Sequence, residues 1–504
     1  MAPVLLTAMT VPAMDPAQVG RASGRRNLSF AVIGAGMSGI LSWIKLREHG
    51  YTDITIYEKA DGLGGTWRAN TYPGVACDVP SALYSYSFAP NPDWSHRFST
   101  GAEILSYLEG VATSHGVPES IRFGEEVVRC DFVDGRWHLE TSLGAHDVVD
   151  VVIAATGVLH HPALPDIEGL GSFGGRTVHT ARWDPTVPID GQRIGIIGTG
   201  SSAIQMVAAI ADRVQALSLF QRTAQWVMPQ ENPAYTEEEQ RAFRDDPTVM
   251  TTLHEDISEM FANGFSNAVV DAESDGMRMI EAACLTNLED SVTDVELRER
   301  LRPDYRAACK RLVVSPDFYS AIQHPNAGLV TDSIQRVEPE GIRTVDGRLH
   351  ELDVLVLATG FRVDRFMRPM EVVGPAGARL SEVWADRPTA YMSISIPGIP
   401  NFFMLNGPTA RSATSRSSRS PSSSSPSSSS WWSGSVQASA GWSARLPGPP
   451  RRSRPPGWRR RRRPSGLRAV GAGIWTTVGC RRRGRGRSSG SARSWPSRTS
   501  LTSI

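Results

Sequence analysis

Residues 29–78 constrain the fold more than any other part of the chain. An apolar run at 30–33 is followed by Gly34, Gly36 and Gly39 in a G-x-G-x-x-G pattern, and then by an amphipathic helical pattern. Such a turn between a strand and a helix lets backbone N–H groups approach a pyrophosphate at the helix N-terminus. The pattern therefore predicts a Rossmann-like unit in which these three glycines bind a dinucleotide.

The next predicted strand ends in an acid, and this acid indicates which dinucleotide binds. Glu58 follows Gly39 by 19 residues. A carboxylate there accepts ribose hydroxyls and repels a 2′-phosphate, which favours FAD or NAD over NADP. A second glycine loop at 62–67 follows at once, and a dinucleotide with a bulky ring would need this backbone cleared, so FAD is favoured. The alternative is a tight βα turn without a ligand.

A second unit of the same kind begins at residue 193. A strand-like run at 193–197 leads into a G-x-G-x-x-A turn that starts with Gly198 and Gly200, followed by a helical pattern and a strand at 216–220. Arg222 is interpreted as replacing the acid of the first unit, where a guanidinium would bind a 2′-phosphate. This predicts NADPH, with a solvated surface arginine as the alternative. The tripeptide Ala-Thr-Gly recurs at 155–157 and 358–360, so the two halves are internally similar.

Charge is distributed unevenly along the 504 residues, a length that suggests two or three domains. No acid follows Asp386, whereas 20 of the 53 basic residues lie at 411–504. The remaining 410 residues carry 33 basic and 52 acidic groups, and an acidic body argues against a nucleic-acid partner. The five cysteines show no zinc-site spacing, so we expect no metal site and a reducing, cytoplasmic location. The sequence contains no apolar run of 18 residues, so no membrane span is predicted.

The predicted fold class is α/β, with two Rossmann-like dinucleotide-binding domains (for FAD and NADPH), a helical insertion and a disordered C-terminal tail. The predicted divisions are a disordered leader (1–27), the first part of the FAD domain (28–160), an inter-domain linker (161–192), the first part of the NADPH domain (193–231), the insertion (232–305), the second part of the NADPH domain (306–375), the return to the FAD domain (376–409) and a low-complexity Arg/Ser/Pro tail (410–504).

Two further motifs give the chain a family resemblance. A loop at 65–78 contains G-x-W, then Y-P-G, then Asp78. A segment at 173–184 contains a second motif, made of Phe, Gly, His, Trp and Asp in that order. Residues 28–409 resemble a Baeyer–Villiger-type monooxygenase of the flavin-containing monooxygenase superfamily. The fingerprint residues, which the resemblance places in a gating linker between domains, are Phe173, Gly174, His179, Trp183 and Asp184.

The resemblance implies roles for individual residues. Arg311 would stand over the reactive edge of the flavin as a catalytic residue, with Asp78 near it; the alternatives are an ion pair with the acidic insertion for Arg311 and a loop-capping carboxylate for Asp78. Arg222 and Lys310 would hold the NADPH phosphate. The other cofactor-binding residues implied are Gly34, Gly36, Gly39, Glu58, Lys59, Gly65, Thr66, Trp67, Asp78, Tyr84 and Val127 for FAD, and Gly198, Gly200, Ser201, Ser202, Gln205 and Thr223 for NADPH.

The implied activity is an NADPH- and O₂-consuming insertion of oxygen beside a ketone, through a C4a-peroxyflavin, giving an ester or lactone. Oxidation of nitrogen or sulfur in a small molecule is the alternative within the enzyme class. A catalytically inactive nucleotide-binding remnant is the alternative outside it. Neither the ketone nor the oligomeric state follows from the sequence.

The composition changes abruptly after residue 409. Residues 410–504 contain no Asp, Glu, Lys, His, Phe, Tyr, Met or Asn, and they are rich in Ser, Arg and Pro. One interpretation is a disordered tail that binds anionic polymers. The interpretation we favour is a slip of reading frame in a GC-rich gene, because restoring one base can yield the start of an amphipathic helix. On this hypothesis a segment that walls the substrate pocket in the family is missing.

Overall fold

The computed structural model describes residues 27–262, 271 and 273–408. The expected disordered leader, apart from its last residue, and the tail with its proposed frame slip lie outside the described residues.

The described strands form several sheets. In chain order they are β1 (Phe30–Ile33), β2 (Ile54–Glu58), β3 (Ile121–Phe123), β4 (Val127–Val133), β5 (Arg136–Thr141), β6 (His146–Val149), β7 (Val151–Ala154), β8 (Arg176–His179), β9 (Arg193–Ile197), β10 (Ala216–Phe220), β11 (Val227–Met228), β12 (Val313–Val314), β13 (Ala327–Val330), β14 (Ile334–Glu338), β15 (Gly341–Thr344), β16 (Leu349–Glu351), β17 (Val354–Leu357), β18 (Glu371–Val373) and β19 (Phe402–Met404).

The described α-helices lie between these strands. They are α1 (Met37–Glu48), α2 (Thr66–Ala69), α3 (Gly101–Ser114), α4 (Ser201–Ile210), α5 (Glu237–Asp245), α6 (Pro247–Met260), α7 (Asp275–Ser291), α8 (Val295–Leu301), α9 (Phe318–Ile322) and α10 (Leu380–Val383).

Two five-stranded parallel sheets confirm the predicted pair of nucleotide-binding folds. Their strand orders are β19-β7-β1-β2-β3 and β13-β10-β9-β17-β8. In each sheet the strand that precedes a glycine turn pairs with the next strand of its unit on one side and with a later return strand on the other. Strands β1, β7 and β17 are buried along their whole length, as expected for parallel strands covered on both faces.

The structure draws two of the expected domain boundaries differently. Strand β8 lies in the expected linker 161–192, yet it pairs with β17 at the edge of the second sheet. Strand β18 lies in the segment expected to complete the NADPH domain, yet it pairs with β4 in a sheet of order β18-β4-β5-β6. In both places a connecting segment supplies backbone partners to an edge strand, whose N–H and C=O groups need them.

The described part of the insertion is mainly helical, as predicted, and it contacts both units. Phe243 of α5 and Met250 of α6 pack into the hydrophobic core beneath the first sheet. Leu288 of α7 and Leu301 of α8 pack into the core of the second sheet. Of the helices that the structure describes in this insertion, the first two therefore belong to one core and the last two to the other.

Two of the segments that cross between the units, at 161–163 and 360–362, lie side by side. The Ala163 N–H donates to the Gly360 carbonyl at 2.9 Å, and the Arg362 N–H donates to the His161 carbonyl at 2.8 Å. The outgoing and returning segments are therefore joined to each other by backbone hydrogen bonds as well as to the domains they connect.

Candidate functional site

The two glycine turns have the same backbone shape. Gly34 has φ +106°, and a Cβ there would lie 2.6 Å from the Ala155 carbonyl oxygen. Gly198 has φ +116°, and a Cβ there would lie 2.4 Å from the Ala358 carbonyl oxygen. The repeated Ala-Thr-Gly tripeptides therefore close over the first glycine of each turn, and only glycine fits both the left-handed backbone and the close contact.

The helices that follow these turns begin without a side-chain cap. Gly36 precedes α1 and Gly200 precedes α4, and neither helix has an acidic residue in its first turn. Every other helix of seven or more residues within the described ranges begins at a Ser, Thr or Asp whose side chain accepts from the first turn. The two helix N-termini that lack this cap leave their N–H groups to an anion such as a pyrophosphate.

The second glycine loop lies directly against the first. A Cβ on Gly65 would be 2.8 Å from the Gly36 Cα, and the Gly64 N–H donates to the Ala35 carbonyl at 3.0 Å. The two stretches of bare backbone form one continuous cradle. A long dinucleotide fits such a surface because no side chain stands in its path.

Glu58 lies at the end of β2 beside this cradle. Its side chain is buried, and its carboxylate oxygens accept from the N–H groups of Ala35 at 2.7 Å and Ala60 at 2.9 Å. A carboxylate offers about four lone-pair sites. The backbone fixes Glu58 in place while further acceptor capacity remains for a ribose hydroxyl.

The second unit differs from the expectation at the corresponding position. The Gly34 N–H donates to the Tyr57 carbonyl, and the Gly198 N–H donates to the Phe220 carbonyl, so Tyr57 and Phe220 are equivalent. Gln221 therefore takes the place of Glu58. The expectation that Arg222 replaces the acid is wrong by one residue, because the second unit is one residue shorter between turn and strand.

The substitution at this position is itself informative. Gln221 is buried, and its Nε2 donates to the Arg300 carbonyl at 2.7 Å. A neutral amide that is turned away and tethered cannot repel a phosphate. Arg222 follows it, exposed, at the position that corresponds to Lys59 in the first unit.

Arg222 lies close to Lys310, as the resemblance implied. The pKa of Lys310 is below its ordinary value because of desolvation and then because of the positive charge of Arg222. The Lys310 ammonium also lies 5.0 Å from the centre of the Tyr305 ring. Two cations held near each other at the surface are an arrangement of the kind that binds phosphate groups in proteins.

Asp78 and Arg311, 233 residues apart, form an ion pair where the two units meet. The Arg311 Nη2 donates to both carboxylate oxygens at 2.7 Å. The Asp78 side chain is 17% exposed and that of Arg311 is 66% exposed. Desolvation acts to lower the pKa of Arg311, but the charge and hydrogen bonds of Asp78 outweigh it, and the net pKa is raised. The guanidinium therefore stays charged and faces open space on one side.

Aromatic side chains lie behind this pair. The Trp67 indole N–H donates to the Tyr84 hydroxyl at 3.2 Å, and the two rings meet edge to face. The pKa of Tyr84 is raised by burial, so its hydroxyl stays protonated. Thr66 opens the short helix α2 beside them and is exposed.

The fingerprint residues lie at the edge of the second sheet. His179 ends β8 and is buried; its Nδ1 accepts from the Ala181 N–H at 3.0 Å, and its Nε2 lies 3.4 Å from the Thr359 hydroxyl. Burial lowers its pKa. Such a neutral, tethered imidazole joins the linker to the second Ala-Thr-Gly tripeptide.

The other fingerprint residues are structural in their contacts. Phe173 packs against the β-rich core of the second unit, and Trp183 packs against the core beneath α4. Asp184 accepts from Thr186 and pairs with Arg176 at 2.7 Å on the surface. The glycine under the tightest constraint is Gly175 rather than Gly174, because a Cβ there would lie 2.3 Å from the Asp353 carbonyl oxygen.

The remaining predicted residues surround the two turns. Val127 begins β4, two residues after Glu125, whose N–H donates to the Glu58 carbonyl at 3.0 Å. The carbonyl of Thr223 accepts from the Thr199 hydroxyl at 2.9 Å. Lys59 is exposed next to Glu58. Ser201, Ser202 and Gln205 lie on α4.

Two residues near the turns make contacts that the sequence did not predict. Tyr72 is buried and reaches α4, and Gln221 occupies the acid position of the second unit. The Y-P-G motif indicated the loop that contains Tyr72. Alignment of the two glycine turns could have located Gln221 only if the register of β10 had been known.

Within the described ranges, no group of His, Cys, Asp and Glu side chains is arranged to hold a metal ion. The same ranges contain no helix with the length and apolar character of a membrane span.

Known proteins share this arrangement over most of the chain. The family model described as flavin-binding monooxygenase-like matches residues 27–367. An uncharacterized monooxygenase of Mycobacterium tuberculosis is 50% identical over 383 residues, 75% of this chain and 76% of that protein. A Baeyer–Villiger monooxygenase of Streptomyces coelicolor is 40% identical over 388 residues, 76% of this chain and 73% of that protein.

Solved structures agree. Cyclohexanone monooxygenase from Rhodococcus sp. Phi1, bound to NADP⁺, is 28% identical with a TM-score of 0.72, covering 83% of this chain and 84% of its own. A steroid monooxygenase bound to NADP is 30% identical with a TM-score of 0.69, covering 77% and 82%. The chain belongs to the flavin-binding monooxygenase-like family and is of its Baeyer–Villiger type.

Proposed function

We propose that this protein uses FAD, NADPH and O₂ to insert an oxygen atom beside the carbonyl of a ketone, forming an ester or lactone. The observation that carries the proposal is the Asp78–Arg311 pair, which lies between two uncapped, glycine-lined nucleotide cradles. NADP-bound and Baeyer–Villiger relatives support the same activity.

The residues of the first unit fit FAD. The Gly36–Gly65 contact leaves bare backbone for a pyrophosphate, and Glu58 has acceptor capacity for a ribose. Trp67 and Tyr84 supply an apolar wall of the size a ring system needs. A bound reduced flavin would supply the activation of O₂, chemistry that no amino-acid side chain provides.

The residues of the second unit fit NADPH. The N-terminus of α4 would bind the pyrophosphate, and the Arg222 and Lys310 cations would bind the 2′-phosphate. Gln221 places no negative charge beside that phosphate. The contrast between Glu58 and Gln221 thus supports FAD in the first unit and NADPH in the second.

Arg311 would stabilise negative charge on the oxygen atoms that react with the ketone. A guanidinium does not lose its proton at working pH, and the nearby Asp78 raises its pKa further. A fixed cation aimed at developing charge lowers the barrier more than one that must reorient. Asp78 holds Arg311 by two hydrogen bonds from a single nitrogen, which leaves the other guanidinium donors for the reactants.

Purified full-length protein tests this proposal. We expect a yellow preparation that bleaches when NADPH is added without oxygen and regains its colour in air. With a panel of cyclic and linear ketones, products carrying one added oxygen from ¹⁸O₂ are then expected.

Two results would change the assignment. Oxygenation of sulfides or amines with no ester or lactone from any ketone would indicate heteroatom oxidation instead. A colourless protein that does not take up FAD would indicate an inactive remnant.

A further inference from the structure

One side chain of the second unit holds the loop that carries Asp78. The Tyr72 hydroxyl donates to Gln205 Oε1 at 2.8 Å, and Gln205 Nε2 donates to the Ala76 carbonyl at 3.0 Å. Both ends of this amide are therefore used by the loop at 72–78, which belongs to the first unit. Gln205 itself lies on α4 of the second.

The geometry requires an amide at this position. If the Gln205 amide were turned by half a rotation, its oxygen would face the Ala76 carbonyl oxygen and repel it. A carboxylate would meet the same repulsion. An apolar side chain would leave the Ala76 carbonyl without its amide donor and the Tyr72 hydroxyl with Ser202 as its remaining side-chain partner. The cost of leaving buried polar groups unpaired favours the amide in this one orientation.

The loop also touches the backbone of α4. Gly74 has φ +81°, and a Cβ there would lie 2.5 Å from the Gln205 carbonyl oxygen and 2.8 Å from the Ala209 Cβ. Ser202, in the first turn of α4, interacts with the Tyr72 hydroxyl. The contact is therefore close along the helix, and it leaves little freedom for the loop to move independently.

The two ends of this contact are functionally different. At one end, α4 starts at the uncapped glycine turn that would bind the NADPH pyrophosphate. At the other, the same loop ends at Asp78, which pairs with Arg311. If nucleotide binding displaced α4, the hydrogen bonds of Gln205 to Tyr72 and Ala76 would move the loop, and Asp78 at its end would move with it.

We propose that Gln205 is a positioning residue that transmits the docking of NADPH on α4 to the Asp78 carboxylate, rather than a residue that binds the nucleotide. The inference rests on the proposed function, because it takes the second unit to bind NADPH. It gives a specific role to Gln205, for which the family resemblance alone implied contact with the cofactor.

Two variants of the FAD-loaded full chain test it. Gln205→Leu removes both hydrogen bonds at similar size, and Gln205→Glu keeps the acceptor for Tyr72 but loses the donor to Ala76. Gln240→Leu is the matched control, since Gln240 also lies on a helix and its Nε2 donates to a loop carbonyl, that of Trp94, at 3.0 Å. Three quantities are measured: the NADP⁺ Kd from flavin absorbance, hydrogen exchange of the amides at 75–79, and the rate of flavin reduction at saturating NADPH.

In the parent and the Gln240→Leu protein, NADP⁺ is expected to slow exchange at 75–79 several-fold. In Gln205→Leu the Kd is expected to stay within about threefold, while this protection is lost and flavin reduction slows about tenfold, within the range that small misplacements cause. The Gln205→Glu protein is expected to fall between. A purely structural role would lower Tm without separating Kd from the reduction rate.

Three other results would contradict the role proposed for Gln205. If Gln205→Leu keeps both the protection and the reduction rate, the positioning role is wrong. If its Kd rises more than about tenfold, Gln205 binds the nucleotide directly and the inference is again wrong. If the parent binds FAD but shows no response to NADP⁺, the proposed function itself fails, and the inference fails with it.

Discussion

The two nucleotide units have the same turn but different surroundings. Both begin with a left-handed glycine covered by an alanine carbonyl, and both leave the next helix uncapped. They differ at the third position of the turn, where a Cβ on Gly39 would lie 1.8 Å from the Gly34 carbonyl oxygen, whereas the second unit accepts Ala203, fully buried. They differ again where Glu58 is replaced by Gln221. The turn sets where a nucleotide binds, and its neighbours set which one.

The first expected effect is on flavin binding itself, at the third position of the turn. In Gly39→Ala the new methyl group would overlap the Gly34 carbonyl oxygen, so the helix must move away from the cradle. Overpacking of this kind costs about 1–3 kcal/mol or more. We expect at least a tenfold loss of bound flavin, measured by the ratio of visible to ultraviolet absorbance after gel filtration.

Ala203→Gly is the control for that change. It creates no overlap and costs about 1 kcal/mol of helix stability. Equal flavin loss in both variants would show that the tight contact at Gly39 does not matter for binding.

The next effect is at the ion pair between the units. Arg311→Ala removes the cation aimed at developing charge, and we expect product formation to fall about 10²–10³-fold. Flavin retention should be unchanged because Arg311 lies outside the first cradle. Product is quantified by gas chromatography at saturating ketone.

Arg244→Ala removes a surface arginine that pairs with Asp93 and serves as the control. Exposed pairs contribute about 0–1 kcal/mol, so its activity should be near that of the parent. Normal product formation by Arg311→Ala would contradict the role assigned to this residue.

Arg222 and Lys59 occupy equivalent positions and give a direct test of the comparison. Loss of a charged hydrogen bond costs about 1.5–3 kcal/mol, so Arg222→Ala should raise the KM for NADPH about 10–100-fold. Lys59→Ala should leave that KM unchanged. The measurement is initial NADPH oxidation at several salt concentrations, and equal effects in the two variants would mean that the second unit does not bind the 2′-phosphate.

The smallest effect is expected from restoring the acid in the second unit. Gln221→Glu places a carboxylate where the first unit has one, and it should shift the preference between NADPH and NADH several-fold toward NADH. It also gives up the donor to the Arg300 carbonyl, so a modest loss of Tm is expected. The readout is the ratio of kcat/KM for the two coenzymes, and an unchanged ratio would leave Arg222 and Lys310 as the whole basis of selection.

The sequence predicted those parts of the molecule that depend on local spacing. A glycine turn can be recognised from a few residues of sequence, because its backbone conformation and close contacts exclude side chains. The position of Gln221 could not be predicted in this way, since counting residues from the turn assumes equal helix lengths, and α1 has 12 residues where α4 has 10.

Contacts between distant segments were also out of reach of local patterns. The resemblance implied that Gln205 contacts a nucleotide, but its hydrogen bonds to Tyr72 and Ala76 depend on how two domains meet. Strand β8 was hidden in an expected linker, because four residues with two exposed side chains give little pattern. The resemblance to a family implied that Asp78 lies near Arg311, but not that they form a direct ion pair, because spacing alone cannot join residues so far apart.

The hydrogen bonds between the segments at 161–163 and 360–362 affect how the two units can move. Separate tethers would let one unit tilt, slide or swing against the other in several directions. Segments joined at Ala163–Gly360 and His161–Arg362 must instead move as one two-stranded ribbon for as long as these hydrogen bonds hold. A movement that changes the separation of the two nucleotide cradles is therefore expected to carry both segments together.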